Sequence, residues 1–177
     1  MEFGGIYLDR DVIVFKSLDP FRKFEMTLDY ETYAGKSMGT QVQIAHKRAR
    51  FLRLYLQTYQ KYEGDKWYWN AGQFPTQRII NNYPHLVHSM NGEFGLTGPE
   101  ICPKMYLENL EDWSEKFFTV HLLMRGNSIK ECVGWCIGDG RVPSILYFDE
   151  QNIKTLNTTF GQIARFILHE TKEIIND

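Results

Sequence analysis

The chain has 177 residues, 43% of them hydrophobic and 15% aromatic, with a formal net charge of −2. That length and apolar content suffice for a single domain over residues 1–177 with its own core, and they exclude a disordered chain. The slightly acidic balance excludes general nucleic-acid affinity through whole-chain charge, and no stretch approaches the roughly 18 apolar residues of a membrane span.

Three cysteines, an odd number, and the lack of a basic start followed by an apolar run in Met1–Lys16 point to reduced thiols and a cytoplasmic location.

Ile6–Leu8 and Val12–Phe15 flank the turn-like Asp9-Arg10-Asp11 and read as an opening hairpin. Phe24–Tyr30 alternates apolar with polar, the period of a half-buried strand with Phe24, Met26, Leu28 and Tyr30 on one face. Ala45, Ala49, Leu52, Leu56 and Tyr59 recur at helical spacing and predict a long helix from about Thr40 to Tyr62, ended by Gly64-Asp65. Pro75 suits the first turn of a second helix with Ile79, Ile80, Tyr83, Leu86 and Val87 as its buried stripe, split or kinked by Pro84. Residues 91–103, rich in glycine and proline, read as a loop, and Leu107–Lys116 as a short acidic helix.

Phe117–Met124, Cys132–Ile137 and Ser144–Phe148 form an expected antiparallel meander with Gly-containing turns. The final helix spans about Phe160–Ile175, with Thr159 and Gln162 as a capping pair and Phe160, Ile163, Ile167 and Ile174 as its apolar face. Strands grouped at both ends, with helices between and after them, give an α+β class: an antiparallel sheet of about five or six strands with three to four helices packed on it.

No standard catalytic, phosphate-binding or dinucleotide motif is present. Cys132 and Cys136 share one face of a strand, but Cys102 is the only further thiol, so no zinc set is complete. His85 and His88 are spaced to share a helix face without the glutamate of a zinc-peptidase pattern. No metal or other cofactor is expected.

Charge is the most informative polar feature. Lys36–Tyr62 carries six basic residues and no acid, with Lys47, Arg48, Arg50 and Arg53 clustered near His46. Glu63–Lys116 carries eight acids against four bases, concentrated at Glu108, Glu111, Asp112 and Glu115.

Gly138-Asp139-Gly140, the strand Ser144–Phe148, Asp149-Glu150 and the segment Thr158–Leu168 resemble, in that order, the end of the SUKH superfamily of bacterial immunity proteins. The chain opens with strands where that family opens with a helix. More broadly it resembles immunity proteins of contact-dependent and polymorphic toxin systems, which are small, acidic and aromatic-rich and lack catalytic motifs. The resemblance implies a non-enzymatic protein that binds and neutralises a cognate toxin, a nuclease by preference, by covering its active or substrate-binding face.

Nuclease toxins are basic, so the expected contacts are Glu108, Glu111, Asp112, Glu115, Asp149 and Glu150, with Trp67 and Trp69 as aromatic anchors. The expected partner is therefore a protein rather than a membrane or nucleic acid, met by a monomer or small homo-oligomer. The competing readings are a small enzyme using a carboxylate and a histidine, with Asp139 and His121 as one pair, and an oligomeric phage or accessory structural protein.

Overall fold

A computed structural model describes residues 2–31, 37–66, 68–95, 101–122 and 149–176. The fold is α+β, and the chain divides into two compact units, Met1–Gly98 with Phe117–Leu122, and Pro99–Lys116 with Leu123–Asp177.

The first unit is built on strand β3 (Met26–Glu31). One edge of β3 pairs antiparallel with β5 (Val42–Ala45), placing Thr27 opposite Ile44. The other edge pairs parallel with β6 (His88–Met90), whereas the remaining strand pairs of this sheet are antiparallel among the described residues. β1 (Gly5–Leu8) extends the sheet beyond β5. β4 (Ser37–Met38) lies along β3 as well, with Tyr30 opposite Met38. Between these two matched pairs β3 advances three residues while the returning chain advances six. The surplus is taken up around Gly39–Gln41, a larger irregularity than a one-residue bulge.

The expected alternation of β3 is present, but both faces are covered. Met26 and Leu28 enter a core with Met38, Phe51, Ile79, Ile80 and Leu86. On the opposite face, Ile44 and Val42 of β5 join Leu18, Phe21, Met90 and Phe94 in a second core. Thr27 and Asp29 are therefore buried instead of solvated. Burial of a charge requires hydrogen-bond partners, and the Asp29 carboxylate accepts the backbone N–H groups of Tyr30, Gly92 and Phe94 at 2.7, 2.8 and 2.9 Å.

Several elements differ from the sequence expectation. The opening strands do not form a hairpin. The turn exists, since Val12 N–H donates to the Asp9 carbonyl, but β1 joins β5 whereas β2 (Val12–Val14) pairs with β7 (Thr119–His121), the two forming a separate sheet among the described residues.

The predicted helix Thr40–Tyr62 is a strand in its first part. Val42 and Ile44 are buried alternately with Gln43 and Ala45, and their ladder partners lie on β1 and β3. Arg48 takes the left-handed conformation, φ 61°, which interrupts any helix at that point. Helix α1 (Arg50–Thr58) follows, with Ala49 at its N-cap offering no side-chain acceptor. Glu25 supplies one: it accepts the Arg50 backbone N–H at 2.6 Å and the guanidinium at 2.7–3.0 Å. Phe51 is the fully buried residue of α1, while Leu56 and Tyr59 of the expected stripe are exposed.

The second helical stretch begins earlier than expected. It runs through wide, five-residue turns at Trp69–Gln73 and Thr76–Ile80, so Pro75 lies inside it. Gln73 N–H reaches back five residues to the Tyr68 carbonyl. Such wide turns accommodate a residue with no N–H of its own. A separate turn, Pro84–Leu86, follows. Ile79, Ile80 and Leu86 are buried as the sequence implied, while Tyr83 is exposed.

Among the described residues, the second unit consists of helices α2 (Ile101–Tyr106), α3 (Trp113–Lys116), α4 (Glu150–Thr155) and α5 (Thr159–Asn176). The acidic segment Leu107–Lys116 is thus a loop that follows α2 and leads into the single short helix α3, and only Glu115 of its four carboxylates is helical. Pro103 sits in the first turn of α2, where the missing N–H costs nothing. The expected strands Cys132–Ile137 and Ser144–Phe148, and the cysteine pair 132/136, lie outside the described residues.

Helix α5 starts as the hydroxyl-rich sequence implied, with the cap one residue earlier. The Thr158 hydroxyl accepts the Gly161 N–H at 3.3 Å. Thr159 joins α5 to the 104–110 segment instead: its N–H donates to the Glu108 carbonyl, its hydroxyl donates to the Lys104 carbonyl at 2.7 Å, and it accepts the Leu110 N–H at 3.0 Å. Phe160 and Ile163 are buried with Met105, Tyr106, Trp113 and Leu156, and Ile167 is half-buried. Arg165 donates to the carbonyls of Ile153 and Leu156 at the end of α4.

Candidate functional site

In the first unit the β2–β7 ladder places Val12 opposite His121, and Leu122 N–H donates to the Asp11 carbonyl. This brings the corner residues Asp9 and Asp11 to the imidazole of His121. Its Nε2 is 3.2 Å from Asp11 Oδ1 and 3.8 Å from Asp9 Oδ2. All three side chains are partly covered, at 14%, 18% and 32% exposure for His121, Asp11 and Asp9.

Asp9 is oriented from behind. The Tyr7 hydroxyl donates to Asp9 Oδ1 at 2.8 Å, leaving Oδ2 to face His121. The same bond holds the Tyr7 phenol above its usual pKa, because the carboxylate accepts its proton. Among the described residues, Asp9, Asp11 and His121 form the cluster whose donor atoms lie close enough together to hold a metal ion, within 4.8 Å of one another.

Sequence reasoning missed this group. It treated Asp9 and Asp11 as turn formers and set His121 beside Asp139, which lies outside the described residues. Only the β2–β7 pairing shows that residues so distant along the chain meet. His85 and His88 do not share a helix face, since β6 begins at His88. The His88 ring instead stacks on Phe24 with centroids 3.6 Å apart.

The acidic candidates fall in the second unit. Glu108, Glu111, Asp112 and Glu115 are exposed, and the backbone that carries them is fixed to α5. Beside the Thr159 bonds, Trp113 Nε1 donates to Gln162 Oε1 at 2.8 Å, Gln162 bonds the Asn109 side chain, and Asn109 Nδ2 donates to Asn157 Oδ1 at 3.0 Å. Asp149 and Glu150 are also exposed. The Asp149 carboxylate is engaged as the N-cap of α4, accepting the N–H groups of Gln151 and Asn152, which leaves less of it for a partner.

Trp67 lies outside the described residues. Trp69 is half-buried, stacks on Phe74 at 5.4 Å and lies beneath the Lys66 ammonium. It packs inward more than an exposed anchor would.

The basic cluster is partly neutralised. Arg50 is bidentate with Glu25, and this guanidinium holds the Glu25 carboxyl below its usual range. Lys47 and Arg22 border an open cleft with Asp19, and His46 bonds the Arg22 carbonyl.

Among the described residues no helix is long and apolar enough to cross a membrane. No protein-family model, curated protein or solved structure matches the chain.

Proposed function

We propose that the protein is a bacterial immunity protein, a non-enzymatic binder that neutralises a basic toxin, of the nuclease kind, through the carboxylates of residues 108–115. The observation that carries this reading is a set of exposed acidic side chains on a backbone already held in place. Glu108, Glu111, Asp112 and Glu115 face solvent, while Thr159 and Gln162 of α5 pin the segment between them.

A fixed backbone lowers the ordering cost of association. Clustered like charges steer a basic partner and raise the association rate. The C-terminal likeness to toxin-neutralising proteins supplies the partner class.

The test is co-expression with the product of the neighbouring gene, followed by association kinetics at two ionic strengths. Glu108→Lys with Glu111→Lys is expected to slow association about tenfold and to flatten its salt dependence. Folding stability should change little, because exposed charges contribute little. Absence of a complex, or an association rate indifferent to both salt and the reversals, overturns the reading.

A further inference from the structure

The geometry points to Asp9, Asp11 and His121 as a binding site for one divalent transition-metal ion, with Tyr7 as the positioning residue. The site belongs to the first unit, and its test needs no protein partner.

The donors are spaced for a shared ion. With metal–donor distances of about 2.0–2.2 Å, neighbouring donors in tetrahedral or octahedral sites sit about 3.0–3.5 Å apart. His121 Nε2 lies 3.2 Å from Asp11 Oδ1 and 3.8 Å from Asp9 Oδ2. A single N–H on Nε2 satisfies the nearer carboxylate and leaves the other beyond hydrogen-bond range. A cation among the three atoms engages all of them and offsets the repulsion between the two carboxylates.

Chemistry selects the class of ion. Calcium takes six to eight oxygen donors and magnesium retains most of its waters. One imidazole nitrogen with two carboxylate oxygens matches zinc, cobalt or manganese, with the remaining positions held by water or a substrate group.

The frame is also suited to the task. β2–β7 pairing fixes the backbone at Val12 and His121, and the Asp9 carbonyl closes the turn by accepting the Val12 N–H. Tyr7 holds one oxygen of Asp9 and turns the other towards the imidazole. Outer partners of this kind orient ligands, and their loss typically weakens metal affinity 10- to 100-fold.

The experiment is calorimetric titration of the chelator-treated full chain with Zn2+, paralleled by Co2+ absorption spectroscopy. Expected are one ion per chain, at least tenfold weaker binding in Asp11→Asn and His121→Ala, and about tenfold weaker binding in Tyr7→Phe. Tyr7→Phe removes only an exposed hydroxyl, so it decides the matter if either ligand variant fails to fold. Excess Mg2+ should leave bound Zn2+ in place. No Zn2+ binding by the wild type, or wild-type affinity retained in both Asp11→Asn and Tyr7→Phe, overturns the assignment. Displacement of Zn2+ by Mg2+ at equal concentration overturns the choice of ion.

Discussion

The ring of Tyr68 occupies the space that a side chain at Gly72 would need. Tyr68 itself is left-handed, with φ 61°, and its hydroxyl donates to the Met38 carbonyl at 2.7 Å. Gly72 N–H closes the turn on the Tyr68 carbonyl at 2.9 Å. Gly72→Ala should therefore destabilise the fold by about 1–3 kcal/mol, the range for overpacking. Urea unfolding measures it, and adding Tyr68→Ala should make the two effects non-additive.

Asp29 is expected to matter twice. Asn at this position keeps one acceptor oxygen but turns an amide group towards a backbone N–H that Asp29 now satisfies. The cost should be about 1–3 kcal/mol at neutral pH.

Burial also raises the Asp29 pKa, opposed by its three backbone N–H donors. A carboxyl with a raised folded-state value binds its proton more tightly when folded. Its favourable contribution is complete below the unfolded value and is lost as pH rises through the folded value. The stability of the wild type relative to Asp29→Asn should therefore increase on acidification from neutral pH. Denaturation of both proteins across that range checks the sign.

Thr159→Val preserves shape and removes the hydroxyl. The Leu110 N–H and Lys104 carbonyl, both half-buried beside the buried Thr159, then lose this partner. A loss of about 2–3 kcal/mol is expected in urea unfolding. Because Thr159 also anchors the acidic segment, the same variant should bind a basic partner more slowly or less tightly than its retained charge implies.

Arg48→Gly should do the opposite. Arg48 is exposed and left-handed at φ 61°, a conformation that costs an L-residue with a side chain roughly 1–2 kcal/mol and glycine almost nothing. A rise in the urea midpoint equivalent to about 0.5–1 kcal/mol is expected, reduced by the greater chain entropy of glycine when unfolded.

What the sequence disclosed depended on how local the determining interaction was. The alternation of β3 and the hydroxyl-rich start of α5 are local, and both elements stand where the pattern put them. The segment 40–62 was misread because Ala45, Ala49 and Leu52 fit helical spacing while Val42 and Ile44 fit strand spacing. Pairing with β1 and β3, remote in sequence, decided between them. The acidic segment was legible as charge but not as shape, since Thr159 and Gln162 hold it from a distance. The Asp9–Asp11–His121 group left only faint signs, an Asp-Arg-Asp corner and a histidine within a β-branched stretch. Nothing local joins them.

Strand β3 has both backbone edges occupied near Thr27, by β5 on one side and β6 on the other, and apolar groups over both faces. Water reaches such a strand only when the sheet around it comes apart. Amide hydrogens of Met26–Leu28 should accordingly be the last in this unit to exchange with deuterium, at a rate set by global rather than local opening. In the irregular stretch Gly39–Gln41 the Gly39 N–H still donates to the Asp29 carbonyl, whereas Thr40 and Gln41 lie outside the pairs matched to β3 and their amides should exchange earlier. The two segments lie on facing strands, so their difference in protection reads out how far unfolding of the interrupted strand runs ahead of unfolding of the whole.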